Sequence, residues 1–217
     1  MSRRALHLAA AAIASVAGCA GSPPPQWAAD AHAAMQQTVA AALDGRPRVE
    51  QAEFARAREQ LSRTGRIDLL ARAELLRCAA HAARLDDAGC PGFEGHRADA
   101  DPADRAYADY LTGRLDAADL SLLPAAQQAA ARGDAQSLAR VDDPLARLVA
   151  ASTLLRAGRA GPEAVALAVD AASARGWRAA LLAWLQVQKN FALRDGDAAL
   201  AQRVQRRIDA AAGGAQR

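Results

Sequence analysis

The chain is 217 residues long, enough for one domain with a sizeable core of its own. Alanine fills 62 positions while aromatic residues number only 8, so an all-β fold is excluded, and no Val/Ile-rich run of strand length offers a parallel sheet. The 27 basic residues, 26 of them arginine, are scattered among 24 acidic ones, a near balance that argues against a nucleic-acid surface. What remains is an all-α fold.

Residues 1–18 read as a secretory signal. Arg3 and Arg4 form a positive n-region, and the apolar stretch Ala5 to Ala17 is long enough for an h-region but too short to span a bilayer. It closes on Val16-Ala17-Gly18-Cys19, which resembles the lipobox of bacterial lipoproteins: a branched apolar residue, two small residues and an obligatory cysteine. The resemblance implies cleavage before Cys19, a thioether-linked diacylglycerol on its sulfur and acylation of its new amino group. Two or more acyl chains give a stable anchor where one does not. Ala20 follows the cysteine where inner-membrane-retained lipoproteins of enterobacteria carry Asp, so the implied location is the periplasmic face of the outer membrane. The alternative is a plain signal cut after Ala20, and Ser2-Arg3-Arg4-Ala5-Leu6 also partly resembles a twin-arginine export signal. Loss of residues 1–18 removes two arginines and no acid, leaving 25 basic residues against 24 acidic.

Residues 19–26 follow as a tether. The run Pro23-Pro24-Pro25 favours extended polyproline II and acts as a stiff spacer. A single all-α domain is expected over 27–217. Apolar positions at helical spacing predict helices near 27–43, 48–64, 66–86, 101–112, 124–132, 142–157, 162–175, 177–194 and 197–212. Asp143-Pro144 and Gly161-Pro162 read as N-caps followed by proline in the first turn, while Gly158, Gly176 and Gly196 sit where left-handed C-terminal residues belong. Short connections predict antiparallel helical hairpins.

The third of these helices carries Glu74, Cys78 and His81 on one face, at i, i+4 and i+7. With Cys19 lipidated, Cys78 and Cys90 form an even pair in an oxidising compartment, which argues for a disulfide pinning the irregular stretch 87–100 to the helix. Cys78, His81, Cys90 and His96 could instead supply a zinc-type ligand set, although their spacing matches no known finger. Glu74 beside His81 could serve acid–base chemistry or form a structural contact with Arg72, Arg77 or Arg84. Glu94 and His96 carry the same ambiguity on the loop. Tyr107 and Tyr110 read as core.

Further along, Leu148, Ala151, Leu155, Ala164, Ala168 and Ala171 are similar in spacing to a tetratricopeptide (TPR) helix pair. The pattern fits only in part when shifted by one repeat, so a TPR-like array and an irregular helical bundle both stand. Trp177 and Trp184 share one stripe of the strongest amphipathic helix. Together with Phe93 on the 87–100 loop they are the candidates for partner contact, with core filling the other reading of the tryptophans. The chain contains no G-x-S-x-G elbow, Walker loop, H-E-x-x-H or Gly-rich dinucleotide turn, and no catalytic residue, metal or cofactor is assigned. The expected function is that of a non-enzymatic docking or assembly scaffold, held in the envelope by lipid on Cys19 and working with an envelope protein. The alternative is an envelope enzyme or metal-binding module built on Glu74, Cys78, His81, Cys90 and His96.

Overall fold

The computed structural model describes residues 24–133 and 135–213. The predicted signal and Cys19 lie outside the described residues, as does most of the tether. The described residues form eleven α-helices and contain no β-strand: α1 (Gln26–Asp44), α2 (Pro47–Ser62), α3 (Ile67–Ala83), α4 (Pro91–Glu94), α5 (Pro102–Leu111), α6 (Ala125–Arg132), α7 (Ala135–Ala139), α8 (Pro144–Arg156), α9 (Pro162–Arg175), α10 (Arg178–Arg194) and α11 (Ala198–Gly213). Two 3-10 turns, Arg97–Asp99 and Ala117–Leu122, link the middle helices.

Proline sets most of the starts. Every proline from Pro25 onward stands at or just before the first residue of a helix, where its fixed φ suits the first turn and its missing N–H costs nothing. At α8 the Asp143 carboxylate accepts a hydrogen bond from the Ala146 amide at 2.7 Å, the side-chain cap the sequence led one to expect. The ends are equally regular. Gly45, Gly113, Gly158, Gly176 and Gly196 all have positive φ, and at each the next residue's amide reaches back five residues while the glycine amide reaches back three. This is the Schellman arrangement, which consumes two carbonyls that the helix end leaves open.

The third helix ends earlier than its periodicity suggests, at Ala83 rather than residue 86. The same hydrogen-bond pair closes it, Asp86 N–H to the His81 carbonyl and Leu85 N–H to the Ala82 carbonyl, both 3.0 Å. Here the left-handed position is filled by Leu85, at φ 65° the one positive-φ residue other than glycine among those described. A leucine held in that region carries roughly 1–2 kcal/mol of backbone strain, and half-burial of its side chain against the main core offsets it.

Consecutive helices pack on one another through α1–α2 and again through α8–α9–α10–α11, but α3 also packs on α8, and α1 on α10. Helices so distant in sequence do not meet in a linear repeat array, where each unit touches only its neighbours. Of the two architectures open in the sequence, these contacts are those of a closed bundle. Its main core is built on alanines that let helices approach closely, among them Ala79, Ala80, Ala150, Ala168 and Ala180, around a few bulky side chains. Trp184 is the largest of these and is fully buried. Its indole N–H donates to the Ala83 carbonyl at 2.9 Å, so α10 satisfies an open carbonyl at the end of α3. A smaller cluster around Phe54, Ala57 and Met35 joins α1, α2 and α3.

Tyr110 is buried as expected and its hydroxyl is not idle. It donates to Gln127 Oε1 at 2.9 Å and accepts from Thr153 Oγ1 at 2.8 Å, while Gln127 donates in turn to the Ala146 carbonyl. Burial pushes the Tyr110 phenol up to about 12, so the network is a neutral clamp across α5, α6 and α8.

Candidate functional site

The chemistry-bearing residues gather where α3 meets the segment that follows it. Cys78 and Cys90 are joined in a disulfide, with Cα atoms 5.3 Å apart and a sequence separation of 12. Cys90 is the residue preceding the four-residue helix α4, a piece of regular structure within the stretch expected to be irregular. The bond therefore fixes α4 against the middle of α3. Phe93, on α4, is wholly buried in the main core, and the Arg97 guanidinium lies 5.4 Å from the centre of its ring.

His81 is held between two carboxylates from different elements. Its Nε2 lies 2.8 Å from Glu50 Oε1 and its Nδ1 3.0 Å from Asp86 Oδ2. Both ring nitrogens are thereby engaged by carboxylate oxygens. Glu50 reaches in from α2 and is 2% exposed. Burial pushes its carboxyl up, but hydrogen bonds from His81 and from Arg77 Nε, at 2.7 Å, outweigh it and hold the group below its ordinary value. Asp86 is drawn down to about 2, chiefly by its hydrogen bond with His81 and then by Arg84 at 2.9 Å. Arg84 also donates to the Ala42 carbonyl at 3.0 Å, which ties the cluster to the end of α1. The Arg77 guanidinium sits 4.9 Å from the centre of the Phe54 ring, a cation–π arrangement.

Beside this cluster is a cavity of about 180 Å³ whose wall includes Glu74, Arg77, His81, Gly92 and the disulfide. Four of the five residues predicted to cluster, Glu74, Cys78, His81 and Cys90, thus do meet. The fifth, His96, is half-buried and stands apart from this wall. Glu94 is also elsewhere, in a surface network with Arg97 at 2.7 Å, Arg114 at 3.1 Å and, through both arginines, Asp109. The Glu74–His81 pair that acid–base chemistry would use is not made, because both imidazole nitrogens are taken by Glu50 and Asp86. Of the three arginines named for that contact, Arg77 and Arg84 serve Glu50 and Asp86, while Arg72 pairs with Asp101 and Asp104. Among the described residues no group of three His, Cys, Asp or Glu side chains is placed to hold a metal ion. In the predicted ligand set the two sulfurs are bonded to each other and His81 is spent on carboxylates.

Glu50 and Asp86 were not legible as site residues from their immediate surroundings. A signal for Glu50 was present nonetheless: it falls on the stripe Glu50–Phe54–Ala57–Leu61, all buried, where an acid in an otherwise apolar register calls for a cationic partner.

The three residues expected to meet a partner divide. Phe93 and Trp184 are 0% exposed and belong to the core, so neither can be a contact residue; a chain this poor in bulky side chains commits them to its interior. Trp177, at the α9–α10 junction, also belongs to the main core at 9% exposure, but its edge lines a surface groove of about 540 Å³ with Met35, Val39 and Leu76, and the Arg175 guanidinium lies 5.3 Å from its ring centre. Among the described residues no helix is long and apolar enough to cross a membrane. No protein-family model, curated protein or solved structure matches this chain.

Proposed function

We propose that this chain is an exported lipoprotein, held at the periplasmic face of the outer membrane by acyl groups on Cys19, whose all-α domain serves as a non-enzymatic docking scaffold for an envelope protein. The observation that carries the reading is the Cys78–Cys90 disulfide, because structural disulfides persist in oxidising compartments and are rare in the cytosol. The lipobox-like Val16-Ala17-Gly18-Cys19 supplies the route and the anchor, and the polyproline tether supplies a spacer between lipid and domain. The scaffold role is supported by how the ionisable groups are used. With Glu50 on one nitrogen of His81 and Asp86 on the other, the imidazole has no nitrogen free to take a substrate's proton, so the cluster reads as a fastening between α2, α3 and the loop after α3. Trp177 is the aromatic candidate that reaches a surface groove, and it is where partner contact is assigned.

The test is expression of the full chain and of Cys19→Ser in a Gram-negative host fed a clickable palmitate analogue. The reading predicts label and outer-membrane association for the native chain and loss of both in Cys19→Ser. Label retained by Cys19→Ser, or a native chain recovered unlabelled in the soluble fraction, contradicts it.

A further inference from the structure

Glu74 is the ionisable side chain of this cluster that the fastening does not use. It is 8% exposed, yet it accepts no hydrogen bond among the described residues, and its one charge partner is the half-exposed Arg58, with Nη1 3.8 Å away. A carboxylate taken out of water without hydrogen bonds is costly, so this one leaves its acceptor capacity open toward the cavity it lines. The fold makes specific room for it. A Cβ on Gly92 would collide with Glu74 Oε2 and push the carboxylate aside, so the carboxylate keeps this position because residue 92 has no side chain.

Arg77 stands one turn further along α3 and lines the same cavity. It does not pair with Glu74. Its Nε turns to Glu50, while its two Nη groups make no hydrogen bond among the described residues and carry open donors. The rest of the wall is His81, whose ring nitrogens are engaged by Glu50 and Asp86, and the uncharged disulfide, Pro91, Ala88, Gly89 and Gly92. One helix face therefore brings to the cavity wall, a turn apart, a carboxylate that accepts no hydrogen bond and a guanidinium whose Nη donors are open while its Nε holds Glu50 and its plane lies over Phe54. At about 180 Å³ the cavity is below the roughly 300 Å³ at which drug-sized sites begin, which limits the occupant to a few heavy atoms.

We propose that this cavity is a binding site for a small zwitterionic amino acid, its ammonium donating to Glu74 and its carboxylate accepting from the Arg77 Nη groups, with a short side chain against the disulfide. Charge-assisted hydrogen bonds at both ends give such a ligand an advantage over either half alone. The site is separate from the Trp177 groove and does not depend on the scaffold reading.

The experiment is titration of the purified, oxidised protein with L-alanine and D-alanine, with ethylamine and propionate as the two halves, followed by calorimetry and by amide chemical shifts. At least one alanine enantiomer is expected to bind about tenfold or more tighter than either half, with shifts centred on residues 74, 77 and 88–92. Glu74→Gln is expected to weaken alanine binding by roughly ten- to a hundredfold and to leave the weak binding of propionate no weaker than in the native chain. Gly92→Ala, which pushes the carboxylate aside, is expected to weaken alanine by a similar factor. The native-chain shifts carry the test should either variant fail to fold. The proposal is overturned if neither enantiomer binds at millimolar concentration, if ethylamine or propionate binds as tightly as alanine, if the shifts map elsewhere, or if a folded Glu74→Gln keeps native affinity.

Discussion

Reducing the Cys78–Cys90 bond tests the physical role given to it. The bond closes a loop of 12 residues' separation, and in the chain-entropy account releasing such a loop in the unfolded state costs the native state about 3 kcal/mol. The loss should not be larger, because the segment is fastened independently of the bond: Phe93, three residues past Cys90, is buried in the core, Asp86 is bound to His81 and Arg84, and the Leu85 turn ends α3. At a urea m-value of about 2 kcal/mol/M the midpoint falls by about 1.5 M on reduction, and the thermal midpoint by roughly 6–12 °C. Equilibrium unfolding followed by helical circular dichroism, with and without a phosphine reductant, reads both. Superimposable curves would mean that the bond contributes nothing or was never formed. Complete unfolding on reduction in the absence of urea would show that the contacts around Phe93 and Asp86 cannot hold the segment alone, which equally refutes the reasoning.

Three other expectations follow from the same contacts. Asp86 is depressed to about 2 from the ordinary carboxylate value of 3.8, so its stabilisation is complete above about pH 4 and disappears as pH falls through about 2; Glu50 contributes with the same sign. Asp86→Asn should remove about 1 kcal/mol of that acid-range slope, a figure reduced because the side chain is 32% exposed, and urea midpoints measured from pH 5 to pH 2 would show it; a slope unchanged by the substitution counts against the fastening. Trp184→Phe leaves the Ala83 carbonyl without its indole donor and should cost about 2 kcal/mol, while Trp184→Ala should cost roughly 3–5 kcal/mol; a neutral Trp184→Phe in denaturant titration would deny the link between α10 and α3. Leu85→Gly exchanges backbone strain for lost burial and should fall within about 1 kcal/mol of the native chain, whereas Leu85→Val, β-branched at positive φ, should lose about 2 kcal/mol; equal effects of the two would show that the left-handed turn is not strained.

The predicted helices were legible because this sequence marks its boundaries. Prolines stand at the starts, and glycines at many of the ends take up positive φ. Where the marker is missing the reading slips, as at α3, whose terminator is Leu85 and not a glycine. The helices α4 and α7, four and five residues long, are too short for a 3.6-residue period to register, so the pattern shows only loop at α4 although it carries Phe93 and directly follows Cys90. The disulfide was readable from cysteine count and spacing. The partners of His81 were not, because Glu50 comes from 31 residues upstream and Asp86 from a turn that the helical pattern had absorbed into α3. Phe93 and Trp184 show the remaining limit: a hydrophobic stripe has the same spacing whether it faces a partner or the interior, and burial alone distinguishes them.

The central claim, an exported and lipid-anchored domain stapled by one disulfide, is met most directly by an intact mass of the protein extracted from membranes. The spectrum is taken with alkylation of free thiols before and after reduction. The account predicts a mass equal to residues 19–217 plus diacylglycerol and an N-acyl chain, gaining two alkyl groups only after reduction. A chain without acyl groups would remove the anchor, and two thiols alkylated without reduction would remove the staple.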